Sequence, residues 1–242
     1  MDAIKTVNLT KQYKDMVAVD RLNLTIEEGE LFALLGVNGA DKTTTIKMLS
    51  TLTSQTSGDA FICTNSVREN ASEVKRLIGL SPQETAVAPN LSVEENLKLM
   101  CGVHGFSRKK TKEKIKEQTE KFNLQAILKK RADKLSGGWQ RKLSIAMALI
   151  GEPKILFLDE PTLGLDVIAR SELWDTIRAL KSETTIILTT HYMEEAEELS
   201  DRIGVMKAGK LIGLGTANEL KAQTGEDTIE KVFVKLIKGD KK

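Results

Sequence analysis

Lys42, Thr43 and Thr44 close the run Gly36-Val37-Asn38-Gly39-Ala40-Asp41, a stretch of small and polar residues suited to holding an anion. Small residues let backbone N–H groups crowd toward one point. The helix expected to follow adds its unpaired N–H groups and the positive end of its dipole. A lysine at that helix start can reach the terminal phosphates of a nucleotide, and a threonine hydroxyl can hold Mg2+. The pattern for such a phosphate-binding loop (P-loop) is G-x-x-x-x-G-K-[ST]. This chain meets it at every place but one, because Asp41 stands where the second glycine belongs.

Three further clusters could do related chemistry. The apolar run Ile155-Leu156-Phe157-Leu158 ends in Asp159 and Glu160. A carboxylate at the C-terminal edge of a buried strand stands where open α/β sheets bind ligands. Asp159 there can hold Mg2+, and Glu160, aimed elsewhere, can orient or deprotonate a water. Alone, the two acids also fit a solvated turn. Leu135-Ser136-Gly137-Gly138-Trp139-Gln140 sets two glycines and a hydroxyl before a helix, where they can approach an anion or simply cap the helix. His191 follows the strand Thr185–Thr189 directly, where a lone histidine is as well a structural residue.

These groups need a frame, and the composition supplies one. Hydrophobic residues are 40% and charged residues 29%, which suits a folded globular chain, while only 4% aromatics points to an aliphatic core. A net charge of +2 argues against nucleic acid or a membrane surface as partners held by bulk electrostatics. Cys63 and Cys101 lack disulfide or metal spacing and read as packing residues in a reducing compartment. The start of the chain lacks an apolar leader, and no window reaches 18 consecutive apolar residues. The expectation is a cytoplasmic protein whose membrane role, if any, runs through a partner.

The patterning predicts strands over 4–9, 17–26, 31–35, 60–63, 78–80, 155–158, 185–189, 203–207 and 211–214. Helices are predicted over 42–52, 73–77, 168–180, 193–199 and 219–223, with a strongly apolar one through 143–150. Ser92-Val93-Glu94-Glu95 is a capping box opening a helix to about Gly102. Ser107 to Phe122 is dense in Lys and Glu and reads as a solvated helix. Ser57-Gly58-Asp59 reads as a turn, and the Lys-rich end after Thr224 as a poorly packed terminus. Alternating strands and helices predict a mainly parallel α/β sheet with a small antiparallel piece at the N-terminus.

Taken together, these motifs resemble the ATP-binding-cassette (ABC) ATPases. The family signature Leu-Ser-Gly-Gly-Gln stands here as Leu135–Trp139, with Trp139 in its last place. The resemblance covers roughly residues 2–225 and rests on six motifs in order. It implies a P-loop NTPase with a RecA-like core over 1–225, a helical subdomain inserted at about 84–150, and a tail over 226–242. It implies ATP and Mg2+ as cofactors. Gly36, Asn38, Gly39, Ala40, Asp41, Lys42, Thr43 and Thr44 would wrap the phosphates, and Tyr13 would stack on adenine. Thr43, Gln83 and Asp159 would hold the metal, with Glu160, His191 and Gln83 catalytic. Asp166, in Gly164-Leu165-Asp166, matches the D-loop.

In that family, Ser136, Gly137 and Gly138 act on nucleotide held by a second cassette, and the helical segment docks a membrane permease. The resemblance therefore implies a head-to-tail pair of cassettes on the cytoplasmic face of a membrane, with no nucleic acid involved. Leu91–Leu97 and Thr162–Asp166 look most like exporters of the daunorubicin-resistance type. A soluble ABC ATPase of DNA repair or translation is disfavoured, since such chains carry long coiled-coil insertions or two cassettes.

Asp41 changes the expectation for activity. A carboxylate ~5 Å from a phosphate charge, at an effective dielectric of ~20, is repelled by roughly 3 kcal/mol per charge pair. The reading is weakened ATP binding, unless the loop turns Asp41 outward; a carboxylate paired with Lys42 would take the lysine from the phosphate and weaken binding as well. The competing reading is a cassette that keeps its fold and its docking role without hydrolysing ATP.

Overall fold

The computed structural model describes residues 1–239. β1 (Asp2–Tyr13) and β2 (Met16–Glu27) form a long antiparallel hairpin. β3 (Leu31–Gly36) follows, buried along its whole length. β4 (Ser57–Ile62) and β5 (Asn65–Ser66) return to the hairpin, giving a four-stranded sheet in the order β2-β1-β4-β5. The turn expected at Ser57-Gly58-Asp59 is thus the start of β4.

The second sheet holds β3 with β6 (Ile78–Ser81), β7 (Ile155–Asp159), β8 (Thr185–Thr190), β9 (Arg202–Lys207) and β10 (Lys210–Gly215). Its order is β10-β9-β3-β8-β7-β6, parallel throughout except for the closing β9–β10 hairpin. Side chains alternate between the two faces of a strand. Phe32, Leu34, Phe157 and Ile187 therefore pack toward the N-terminal sheet, in one core with Ile4, Leu22 and Met48. Leu31, Ala33, Leu35, Leu156 and Leu188 face the other way, into a core closed by helices. Both faces are covered, so β3, β7 and β8 read as continuous apolar runs.

The helices are α1 (Lys42–Leu49), α2 (Ala71–Leu77), α3 (Val93–Val103), α4 (Arg108–Lys121) and α5 (Gly137–Leu149), then α6 (Val167–Leu180), α7 (Met193–Leu199), α8 (Ala217–Thr224) and α9 (Ile229–Lys238). α3 opens on the capping box, with Ser92 N donating to Glu95 Oε2 at 2.8 Å and Glu95 N to Ser92 Oγ at 3.3 Å.

Three further expectations change. α1 stops at Leu49 rather than 52, because Thr51 turns left-handed at φ 61°. α4 is not solvated all round: Lys114 and Gln118, one turn apart, are buried, and Lys114 Nζ donates to Glu117 and Glu152. The segment after Thr224 is not loosely packed over its described residues. Ile229, Val232 and Phe233 of α9 are buried against α7 and α8, at the i, i+3, i+4 spacing of one helical face. Residues 240–242 of that segment lie outside the described residues.

The strand registers place the chemistry. Ser81 pairs with Leu158, Asp159 with Thr189, and Leu35 with Thr190. Four parallel strands thus end at one edge, and the loops beyond Gly36, Ser81, Asp159 and Thr190 meet there.

Candidate functional site

The loop leaving β3 is held open by two glycines of different kinds. Gly39 adopts φ 80°, which glycine enters without strain. A Cβ on Gly36 would stand 2.9 Å from both Ala40 Cβ and the Met206 carbonyl, so the loop closes too tightly for any side chain there. Asp41 takes the place of a third. It sits at φ 66°, ψ 29°, in the left-handed region, and makes no side-chain cap bond to α1. Its Oδ1 accepts from Thr44 Oγ1 at 3.1 Å, and among the described residues it forms no ion pair. The alternative in which Asp41 pairs with Lys42 is therefore not what the structure adopts.

Lys42 pairs with a different acid. Its Nζ lies 3.2 Å from Glu160 Oε1 and donates to the carbonyls of Gly36 at 2.8 Å and Val37 at 3.3 Å. Glu160 Oε2 meets His191 Nδ1 at 2.5 Å. One buried carboxylate thus stands between the loop lysine and the strand-end histidine. Glu160 itself has φ 48°, an unusual value for a non-glycine residue. That backbone is pinned by its N–H, which donates to Thr189 O at 3.1 Å and Thr189 Oγ1 at 3.0 Å. The same threonine hydroxyl donates to Asp159 Oδ1 at 2.5 Å, and Thr43 Oγ1 donates to that oxygen at 3.1 Å.

Lys42, Thr43, Glu160 and His191 line a cavity of about 350 Å3, while Asp159 and Thr189 stand behind its wall, joined to it through Thr43 and Glu160. Asn38, Gly39, Asp41, Lys42, Thr43 and Thr44 line one side of it. Gln83, Glu160 and His191 close the other. The donor set fits a magnesium nucleotide. Thr43 Oγ1 and Asp159 Oδ1 stand side by side as two hard oxygen groups suited to Mg2+, the ammonium of Lys42 is buried, and the first turn of α1 opens onto the cavity.

Other expected residues stand elsewhere. Gly36 and Ala40 shape the loop from beneath and do not line the cavity. Tyr13 is exposed at the end of β1, with Lys11 Nζ 4.8 Å above its ring. Ser136 and Gly137 are exposed at the start of α5, outside the cavity, and the Ser136 side chain caps nothing. Gly138 sits beside α6, where a Cβ would come 3.2 Å from Ala169 Cβ. Asp166 Oδ1 accepts from Ala169 N at 2.9 Å and so caps α6.

Three residues escaped the sequence reading. Thr189 ties Asp159 to Glu160; its place at the polar end of an apolar strand was the available signal. Leu163 lines the cavity beyond Glu160; it lies in the Thr162–Asp166 stretch, which marks the family resemblance but not a cavity contact. Arg141, one helical turn into α5, donates from Nη1 to Pro82 O and from Nη2 to Gln83 O, both at 2.6 Å. It is buried, and burial pulls its guanidinium below its ordinary value while Asp159 and Glu195 oppose that shift. It fixes the backbone that carries Gln83.

The chain is similar to known proteins over most of its length. The ABC transporter family profile matches residues 19–163. The probable multidrug ABC transporter ATP-binding protein YbhF of Escherichia coli is 40% identical over 240 residues, covering 97% of this chain and 41% of that protein. This chain thus spans about two fifths of that relative's length. The daunorubicin resistance ATP-binding protein DrrA3 of Streptomyces coeruleorubidus is 42% identical over 232 residues, covering 96% of this chain and 73% of its own length. A solved dimeric ATP-binding cassette, in a post-hydrolysis state with ADP and Pi, superposes with a TM-score of 0.79 at 26% identity, covering 88% of this chain and 98% of that one.

Proposed function

The chain belongs to the ABC transporter family as one of its ATP-binding domains, and from that premise we propose that it binds and hydrolyses ATP to drive export through a separate membrane permease. The observation that carries this reading is the gathering of Lys42, Thr43, Glu160 and His191 around one cavity at the ends of parallel strands, with Asp159 bonded to Thr43 behind its wall. Among the described residues no helix is long and apolar enough to cross a membrane, so the export route would belong to the partner. The names of the relatives favour a drug- or antibiotic-like cargo.

Each group has a part. Lys42 and the α1 N-terminus would bind the β- and γ-phosphates, and Thr43, Asp159 and Gln83 would hold Mg2+, which when bound draws charge off the phosphate oxygens. Glu160 would orient and accept a proton from the attacking water, while His191, bonded to Glu160, would steady both that carboxylate and the γ-phosphate. Tyr13 would stack on the adenine. Positioning and charge stabilisation would supply most of the rate.

Ser136, Gly137 and Gly138 do not line the cavity of their own chain, which supports their acting on nucleotide held by a second cassette. The dimeric neighbour with ADP and Pi supports the same arrangement. Asp41 favours a second reading, in which nucleotide binding is weak and the chain acts chiefly as a docking or regulatory subunit. A titration with fluorescent ATP, followed by ATP turnover with and without permease, tests both. Binding and turnover support the first reading. Absence of binding in this chain with recovery in Asp41→Gly supports the second, and absence in both overturns the ATPase assignment.

A further inference from the structure

Behind the cavity lies a buried carboxyl group that the catalytic reading leaves unused. Glu195, in the first turn of α7, is wholly inaccessible to solvent. Its Oε1 accepts from the Trp174 indole Nε1 at 3.1 Å, across the α6–α7 contact. The same carboxyl group faces the hydroxyls of Thr190 and Thr162 and the guanidinium of Arg170. Yet Glu195 Oε2 completes no hydrogen bond among the described residues, and neither does Thr162 Oγ1 or Arg170 Nε.

Three buried polar atoms left open in one place cost free energy unless a proton is placed to pair them. An ionised carboxylate can only accept, so it would satisfy itself from the Thr162 hydroxyl and bind Arg170 closely. A protonated carboxyl carries one O–H, and that O–H can donate to Thr162 Oγ1 and satisfy both oxygens with a single proton. Burial raises the Glu195 carboxyl above its ordinary value, while Thr190, Thr162, Trp174 and Arg170 pull the other way. Arg141 on α5 is the second cation that acts on it. Arg170 is partly turned away, lying 4.6 Å over the Tyr192 ring.

The position of the two threonines gives the group a purpose. Thr162 stands two residues beyond Glu160, and Thr190 stands immediately before His191. Glu160 and His191 touch each other on the cavity side, and Glu195 sits between the segments that carry them on the far side.

We propose that Glu195 is a positioning residue: held as a neutral acid, it hydrogen-bonds the Thr162 and Thr190 turns together and so sets the Glu160–His191 contact. This rests on the ATPase reading only for its consequence in turnover. The proton and the geometry are properties of the free chain and can be measured without nucleotide.

The test compares Glu195→Gln, which keeps the shape and an N–H donor, with Glu195→Leu, which keeps only bulk. In the nucleotide-free protein at neutral pH, the infrared difference spectrum of wild type against Glu195→Gln is expected to contain the C=O stretch of a protonated carboxylic acid. The His191 imidazole NMR signals are expected to stay in place in Glu195→Gln and to move in Glu195→Leu. With ATP, Glu195→Gln should keep kcat within about threefold, and Glu195→Leu should lose about tenfold or more with KM little changed. An ionised carboxylate in the spectrum, or His191 signals equally unmoved in both variants, overturns the proposal. Loss of turnover in every protein, with the infrared and NMR results as expected, overturns the ATPase reading and leaves Glu195 in its role. If Glu195→Leu does not fold, Glu195→Asp, which withdraws the carboxyl by one methylene, takes its place with the same expectations.

Discussion

Lys42 Nζ stands 3.2 Å from Glu160 Oε1, in a pair whose side chains are 5% and 7% exposed. In this state the lysine proposed to hold phosphate and the acid proposed to activate water are committed to each other. A phosphate entering the loop competes with Glu160 for the ammonium, so nucleotide binding includes the cost of parting a buried ion pair. Glu160→Gln removes one competitor while keeping the shape. We expect it to bind ATP about tenfold more tightly, the equivalent of ~1.4 kcal/mol, and to lose hydrolysis. Affinity equal to or weaker than that of the parent chain, in a direct titration, contradicts the competition.

Asp41 poses the complementary problem, because it adds a negative charge that Lys42 does not neutralise. The structure keeps the loop shape by letting Asp41 adopt φ 66°, a conformation Asp tolerates better than most residues. Asp41→Gly is expected to raise ATP affinity by about two decades, from ~3 kcal/mol of relieved repulsion. Dropping the side chain from a left-handed position also relieves strain of order 1 kcal/mol, which urea unfolding reads without nucleotide. Equal ATP affinity in the two proteins places Asp41 outside the phosphate field.

Arg141 holds the segment that bears Gln83, and its fork is specific to arginine. A lysine has one ammonium on a flexible stem and cannot span the carbonyls of Pro82 and Gln83 together. Arg141→Lys is expected to cost about 1–3 kcal/mol in urea unfolding through the unpaired buried carbonyl. It should also raise the Mg2+ concentration needed for nucleotide binding, since Gln83 is no longer fixed. A Mg2+ requirement unchanged from the parent separates the structural cost from any role at the metal.

The parts legible in the sequence are those specified by neighbours along the chain. β3 and the loop beyond it follow from an apolar run feeding small residues and Lys42. The α3 capping box is written in four consecutive residues. What stayed hidden depends on pairings across the chain. Thr189 meets Asp159 because β7 and β8 lie in register, and Arg141 reaches Pro82 and Gln83 from 58 residues or more away. α9 is a different case. Ile229, Val232, Phe233 and Leu236 form a helical stripe visible in the sequence, but the lysines between them give the segment the composition of a loose terminus. Lys114 likewise disappeared into a charged run, because its burial depends on Glu117 and Glu152 meeting it.

The shifted carboxyls set how stability responds to pH. Lys114 holds Glu152 below its ordinary value of 4.5, so that contribution is present above about pH 4.5 and fades as acid protonates the folded form. Glu195 is shifted up, mainly by burial, so its folded state retains a proton that the unfolded chain releases. Its contribution is complete below about pH 4.5 and declines as pH rises from there toward its elevated value. Wild type is therefore expected to lose stability relative to Glu195→Gln as pH climbs through that range. Parallel unfolding curves for the two proteins across the range contradict a raised Glu195.

Phe233 decides whether α9 belongs to the domain. It is 5% exposed and packs with Ile229 and Val232 into the helical core, against α7, the helix that begins just past His191. A terminus without packing can be cut at no cost, whereas removing a buried phenylalanine leaves a cavity the surroundings fill only in part. Phe233→Ala is expected to destabilise the chain by about 3–5 kcal/mol in urea unfolding. Val234→Ala, its exposed neighbour on the same helix, is expected to shift the midpoint by no more than about 0.5 kcal/mol. Equal small effects from the two substitutions mean that α9 is dispensable, and a large effect from Phe233 alone makes it a structural part of the wall behind His191.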